Sequence, residues 1–162
     1  MRNHELVRQL QSLRNLIGRT NVASLEDIEL QGHWGRYLCI LVAGFIENGL
    51  REVYPDYVNR AANPSVASFA ARMQNNVQNL RASRFLEIAQ AFSSKWAEEL
   101  DAFLIENERR AAIDGIMSNR HLIAHGKNAS ISVARVREHL DKCVEVIEFI
   151  EAQCLGQNRT HQ

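Results

Sequence analysis

Leu6, Leu10, Leu13 and Ile17 recur at four-three-four spacing, so the chain opens with an amphipathic helix expected to end near Gly18. A polar connector through Asn21, Glu26 and Asp27 follows. The second helix is expected from about Gly32 to Val53 and is apolar almost all round between Tyr37 and Ile46, as the central helix of a bundle is. Gly44 and Gly49 on it let neighbours come close. Tyr54-Pro55-Asp56 is expected to end it, because proline lacks an amide hydrogen and crowds the preceding turn. A third helix is expected after Pro64-Ser65, with Val66, Phe69, Met73, Val77 and Leu80 on one face. Ser83 then opens a short fourth carrying Phe85, Ile88, Ala89 and Phe92, and Ser93 or Ser94 caps a fifth with Trp96, Leu100, Phe103 and Leu104 inward. A sixth runs from about Asn107 to His125, with Gly126 just past its C-terminus. Ser132 caps a last long helix on which Val133, Val136, Leu140, Cys143, Ile147, Ile150 and Cys154 keep a three-four rhythm. That seam suits either a coiled coil or the core face of one bundle helix.

No alternating strand pattern of useful length occurs, so the fold class is all-α, a bundle of about five to seven helices. The 162 residues suit one domain, expected over 1–155, with 156–162 as a frayed tail. Nineteen basic residues balance nineteen acidic ones, so no global field draws in nucleic acid or an anionic membrane. Any RNA contact must therefore be local. Cys39, Cys143 and Cys154 are odd in number, far apart and set on apolar faces, which reads as free buried thiols rather than a disulfide or zinc framework. Met1-Arg2-Asn3-His4-Glu5 begins a polar helix and not a signal peptide, and the run from Tyr37 to Ile46 is about half of a membrane span. The expected compartment is the cytoplasm, with no membrane partner.

The candidate chemistry lies in Asn119-Arg120-His121-Leu122-Ile123-Ala124-His125-Gly126. Ile113, Met117, Arg120 and Ala124 share one stripe, flanked by Ile116 and Ile123, which sets a permanent charge where it needs a partner. Arg120 and His125 stand about 140° apart around a regular helix and about 7.5 Å apart along it. Side chains so splayed do not easily grip one small group. They converge if the helix ends irregularly at Gly126 or if a second copy supplies the missing half, so the spacing favours a composite, dimeric site.

An arginine and a histidine without a carboxylate or metal cluster suit metal-independent RNA cleavage. An imidazole takes the proton of a 2′-hydroxyl, which attacks the adjacent phosphorus and leaves a 2′,3′-cyclic phosphate. A guanidinium stabilises the charge that grows on the phosphoryl oxygens. No cofactor is called for. His121 and His125 have the i, i+4 spacing of a metal pair, but Leu122 stands where a zinc-protease motif needs glutamate and no third ligand is evident, so no metal is expected.

The octapeptide resembles the R-x4-H motif of the HEPN superfamily, and most closely that of its RiboL-PSP-HEPN group. The wider pattern is similar too: Phe45-Ile46-Glu47 on a buried second helix, the motif helix, and a long closing helix, over roughly Gly32 to Ala152. The resemblance implies a helical homodimer with its motifs facing across the interface. It also implies a metal-independent endoribonuclease acting on single-stranded RNA, in bacterial defence or beside an antitoxin or other neighbouring-gene partner. Arg120 and His125 then match the catalytic pair, with Asn119, His121 and Glu47 in support, Glu47 as an acid that braces the arginine. Lys127 stands where some HEPN toxins carry a tyrosine that a partner nucleotidyltransferase adenylylates, so that side chain is missing here. The alternative is a HEPN module that binds nucleotide, RNA or protein without catalysis. A purely structural helical adaptor is the third possibility.

Among the remaining residues, Lys127, Arg109, Arg110 and Arg135, together with Arg137, flank the motif and are candidates for a phosphate path. His4, His33, His139 and His161 read as surface residues, and Trp34 and Trp96 as core or interface anchors.

Overall fold

A computed structural model describes residues 1–23, 27–63 and 80–156, and all regular structure among them is helical. Helix α1 (His4–Ala23) starts where the Asn3 side chain accepts from the amides of Glu5 and Leu6 at 2.9 and 3.1 Å, and it buries Leu6, Leu10, Leu13 and Ile17. It does not stop at Gly18. The next turn holds because Thr20 is buried with its hydroxyl donating to the carbonyls of Leu16 and Ile17, both at 3.0 Å.

Helix α2 (Ile28–Ala61) is the central one and overruns its expected span at both ends. Asp27 caps its start, accepting from the Leu30 amide at 2.9 Å. Pro55 lies inside the helix rather than ending it. A proline interior to a helix costs about 3 kcal/mol, and aromatic packing offsets that here. Tyr54 is fully buried and stacks on Phe92 at 5.1 Å, while Tyr57 meets both Phe92 and Trp96.

The helix expected over Val66 to Val77 lies outside the described residues. Leu80, at its far end, is buried in the core. Helix α3 (Ala82–Phe92) begins one residue before Ser83 because the Ala82 amide donates to Asp114 on the motif helix at 2.8 Å. Helix α4 (Ser94–Ile105) follows after extended Ser93 and buries Trp96, Leu100 and Leu104. A 3-10 turn (Glu106–Glu108) separates it from α5 (Arg109–Ala124). The motif helix thus starts two residues later than expected. Asn107 and Glu108 both adopt the left-handed conformation (φ 51° and 58°), which no continuous right-handed helix accommodates.

Helix α6 (Val133–Gly156) closes the bundle, with Ser132 Oγ accepting from the Arg135 amide at 3.2 Å. Its whole three-four seam is buried within the chain, which makes it the core face of a bundle helix. Two glycines set its direction against α2: a Cβ at Gly35 would meet Ile131, and one at Gly49 would meet Ile147, so the two helices run parallel. Helix α5 runs the other way against α6, since Arg109 reaches Glu145 and Gly115 lies under His139. Helices α2 and α5 are therefore antiparallel. Cys39 marks their crossing, its thiol donating to the Ile116 carbonyl at 3.5 Å. All three cysteines are buried free thiols, and burial pushes Cys39 up to about 11 and Cys154 to about 12. No helix among the described residues is long and apolar enough to cross a membrane.

Candidate active site

The motif occupies the last two turns of α5, and the sequence ends the helix sharply. His125 is the C-cap and Gly126 takes φ +65°, a conformation glycine adopts without penalty. The Gly126 amide donates to Ile123 at 3.1 Å and the Lys127 amide to Leu122 at 2.9 Å, the paired bonds of a Schellman ending. Two carbonyls of the final turn are thereby satisfied, and the turn bearing both histidines is fixed.

Ile113, Ile116 and Met117 are buried as expected, but the apolar stripe stops there: Arg120 is half-buried and Ala124 exposed. Arg120 sits at the margin of the core. Its Nη2 lies 3.9 Å from Glu47 Oε1, and the Glu47 side chain is 12 % exposed against 31 % for Arg120. Helical side chains lean toward their own N-termini. On antiparallel helices Arg120 and Glu47 therefore lean toward each other. The carboxylate compensates the guanidinium at ion-pair distance.

His121 and His125 are both exposed, and their rings stand 4.4 Å apart at 60°. Asn119 turns back along its own helix, its Nδ2 donating to the Gly115 carbonyl at 2.8 Å. The end of α5 thus presents an arginine at ion-pair distance from a carboxylate and an accessible imidazole pair on neighbouring faces. Among the described residues no cluster of three or more His, Cys, Asp or Glu groups could hold a metal ion.

The flanking cations divide. Lys127 is exposed directly after the motif. Arg135 is exposed on the first turn of α6 and pairs with Glu138 at 2.9 Å. Arg109, a candidate phosphate ligand by sequence, is buried instead. Its Nε donates to Glu145 at 2.7 Å, its Nη1 to the Phe103 carbonyl at 3.0 Å, and its guanidinium lies 3.8 Å from the Phe103 ring centroid. Arg110 pairs with Asp101. Both begin α5, and Arg110 is about 22 Å along the helix from His125, so neither borders the motif.

His139 is not a surface residue. Its ring packs over Gly115, where a Cβ would stand 3.1 Å from Nε2, and its buried Nδ1 has no hydrogen-bond partner among the described residues. Burial chiefly, then Arg135 and Lys142, hold its pKa below the ordinary histidine value against the opposing pull of Glu138 and Glu108.

His33 is exposed, as expected, and Arg36 beside it carried no expectation from the sequence. Their i, i+3 spacing on α2 was visible, but nothing in the pattern shows that residues 126–132 fold back onto this end of α2. Arg36 Nη2 lies 3.0 Å from His33 Nδ1. Arginine only donates, so the imidazole nitrogen accepts.

No curated protein and no solved structure matches the chain. The sequence profile of the RiboL-PSP-HEPN family matches residues 2–156, which takes in α1 as well as the helices that carry the motif, and the protein belongs to that family.

Proposed function

We propose that the protein is a metal-independent endoribonuclease that cleaves single-stranded RNA. His125 takes the proton of a 2′-hydroxyl, the 2′-oxygen forms a bond to the adjacent phosphorus, and the bond to the 5′-oxygen breaks. The departing oxygen receives a proton, and the upstream product ends in a 2′,3′-cyclic phosphate. Arg120 stabilises the charge on the phosphoryl oxygens, with Glu47 orienting it and His121 beside the base. Unpaired RNA is the substrate because in-line attack needs a backbone that can splay.

The observation that carries this reading is the end of α5 itself. A guanidinium 3.9 Å from a largely buried carboxylate stands little more than one turn from an exposed imidazole, and a Schellman ending fixes the end of that helix. Domains of this family are often RNA-related and often dimerise. Exposed Tyr37 and Ile40 lie on the outer face of α2, on the side that leads to Glu47, and they support pairing of two copies with both motifs at the interface. A role in bacterial defence or opposite an antitoxin follows from the same kinship.

Complementation tests the composite site. Arg120→Ala and His125→Ala chains, each inactive alone, should recover part of the RNA cleavage when co-expressed, because a mixed dimer keeps one intact Arg–His pair. Light scattering should show a dimer. A monomer, or no recovery in proven mixed dimers, would refute the two-chain site.

Zero net charge and the pairing of Arg109, Arg110 and Arg135 with carboxylates favour a second reading, a HEPN module that binds RNA or a partner without cleaving. Binding without cyclic-phosphate products would identify it.

A further inference from the structure

Residues 126–132, which follow His125, pack against the first turns of α2. The approach is so close that a Cβ on Gly35 would lie 1.9 Å from the Ile131 carbonyl oxygen. Beside that contact is an open cavity of about 460 Å3, walled by Ile28, Gln31, Gly32, Arg36 and residues 128–132. Its size falls within the range of small-ligand sites and admits one nucleotide.

Two observations tie the cavity to the motif. Asn128 on its wall is three residues from His125, so their Cα atoms are at most about 11 Å apart. The antiparallel course of α2 and α5 also brings the N-terminal turns of α2 beside the C-terminal end of α5. Arg36 therefore presents a second guanidinium at the His125 end of the bundle.

Arg36 also differs electrostatically from four of the arginines on or beside the motif helix. Arg109, Arg110, Arg120 and Arg135 each have a carboxylate within ion-pairing distance. Arg36 is held by the His33 imidazole, and among the described residues no carboxylate lies within ion-pairing distance of it. The fork is oriented, and no carboxylate among the described residues pairs with it, which suits a phosphate. Among the lining residues Ile28 is exposed and apolar, suited to the face of a base, and Asn128 and Ser130 are exposed and polar, suited to its edge.

We propose that this cavity is the subsite for the nucleotide next to the cleaved phosphodiester. Arg36 holds that nucleotide's phosphate, and Asn128 and Ser130 read its base. The inference rests on the endoribonuclease reading, since its ligand is the RNA that the motif would cleave.

Gly32 provides the means to close the cavity. A Cβ there meets nothing within 4 Å, so Gly32→Phe puts a ring into the space, whereas Gly32→Ala leaves it open. The test uses the full chain carrying His125→Ala, so that bound RNA survives, and a fluorescently labelled, mixed-sequence, single-stranded RNA read by anisotropy across a salt series. Arg36→Gln should weaken binding about tenfold and lower the slope of log K against log salt by about 0.7, the value for one phosphate contact on a single strand. Arg36→Lys should keep the slope. Gly32→Phe should weaken binding at least as much as Arg36→Gln, and Gly32→Ala should bind like its parent, with thermal unfolding of each variant near that of the parent. Unchanged affinity and slope in both Arg36→Gln and Gly32→Phe, with the parent binding RNA, would overturn the subsite and leave the endoribonuclease reading standing. Failure of the parent to bind RNA, together with failure of the unsubstituted chain to cleave it, would overturn both.

Discussion

Replacing Gly35 by alanine adds one methyl group at the point where the loop after the motif rests on α2. That methyl would lie 1.9 Å from the Ile131 carbonyl oxygen and 3.0 Å from the Ile131 carbonyl carbon. Both atoms are backbone, so no side chain can swing away, and one segment must retreat by more than 1 Å to reach even the closest contact that real structures show. Overpacking of a fixed interior costs about 1–3 kcal/mol, and contact with backbone belongs at the top of that range. The gain in helix propensity returns about 1 kcal/mol. The net loss is about 2 kcal/mol, equivalent to a fall in Tm of roughly 4–8 °C for a chain of this size. Gly32→Ala and Gly44→Ala are the controls: a Cβ at either position meets nothing within 4 Å, so each should gain about 0.5–1 kcal/mol. Thermal unfolding followed by circular dichroism separates the three. A Gly35→Ala chain as stable as Gly32→Ala would refute the packing of this loop. Because the same loop leads out of His125, the variant should also lose RNA cleavage at temperatures where it remains folded.

Three other substitutions address separate parts of the structure. Arg109→Ala removes the bond to Glu145, the bond to the Phe103 carbonyl and the stack on the Phe103 ring, and should cost about 2 kcal/mol in urea unfolding while leaving the salt dependence of RNA binding unchanged; a reduced salt slope would show that it meets phosphate after all. Glu47→Gln removes the charge that orients Arg120, and should lower cleavage about ten- to a hundredfold with the fold retained; unaltered kinetics would show that the carboxylate does not position the arginine. His139 has its pKa lowered in the fold, chiefly by burial, so the unfolded chain binds the extra proton first. Its contribution to stability is complete above the ordinary value of 6.5 and is lost as the pH falls from there through the folded value. His139→Gln should flatten that part of the Tm-against-pH curve, and an identical curve would contradict the burial of the ring.

The helices were legible because the 3.6-residue period marks a buried face wherever it falls, and every seam residue of α6 and every stripe residue of α1 is in the core. Their ends were less legible. Pro55 reads as a stop until Tyr54 finds Phe92, a partner far along the chain that no local rule supplies. Asn107 reads as helix, and only its positive φ shows the break. The motif was visible as a string, and Gly126 announced the end of its helix. What a charged residue does was much harder to read. Arg109 looks like a phosphate ligand because its partner Glu145 lies 36 residues away. His139 looks solvated because nothing local reveals Gly115 beneath it. Arg36 gained significance only once the 126–132 loop was seen to fold back.

The central claim is that Arg120 and His125 cut RNA without a metal, and the chemistry of the product ends tests it most directly. Single-stranded RNA incubated with the protein in EDTA, and analysed by mass spectrometry, should yield fragments ending in 2′,3′-cyclic phosphate. Arg120→Ala and His125→Ala should lower the yield by at least a hundredfold, about 2.7 kcal/mol of transition-state stabilisation. Cleavage that stops in EDTA, or cyclic-phosphate ends produced equally well by both variants, would contradict it.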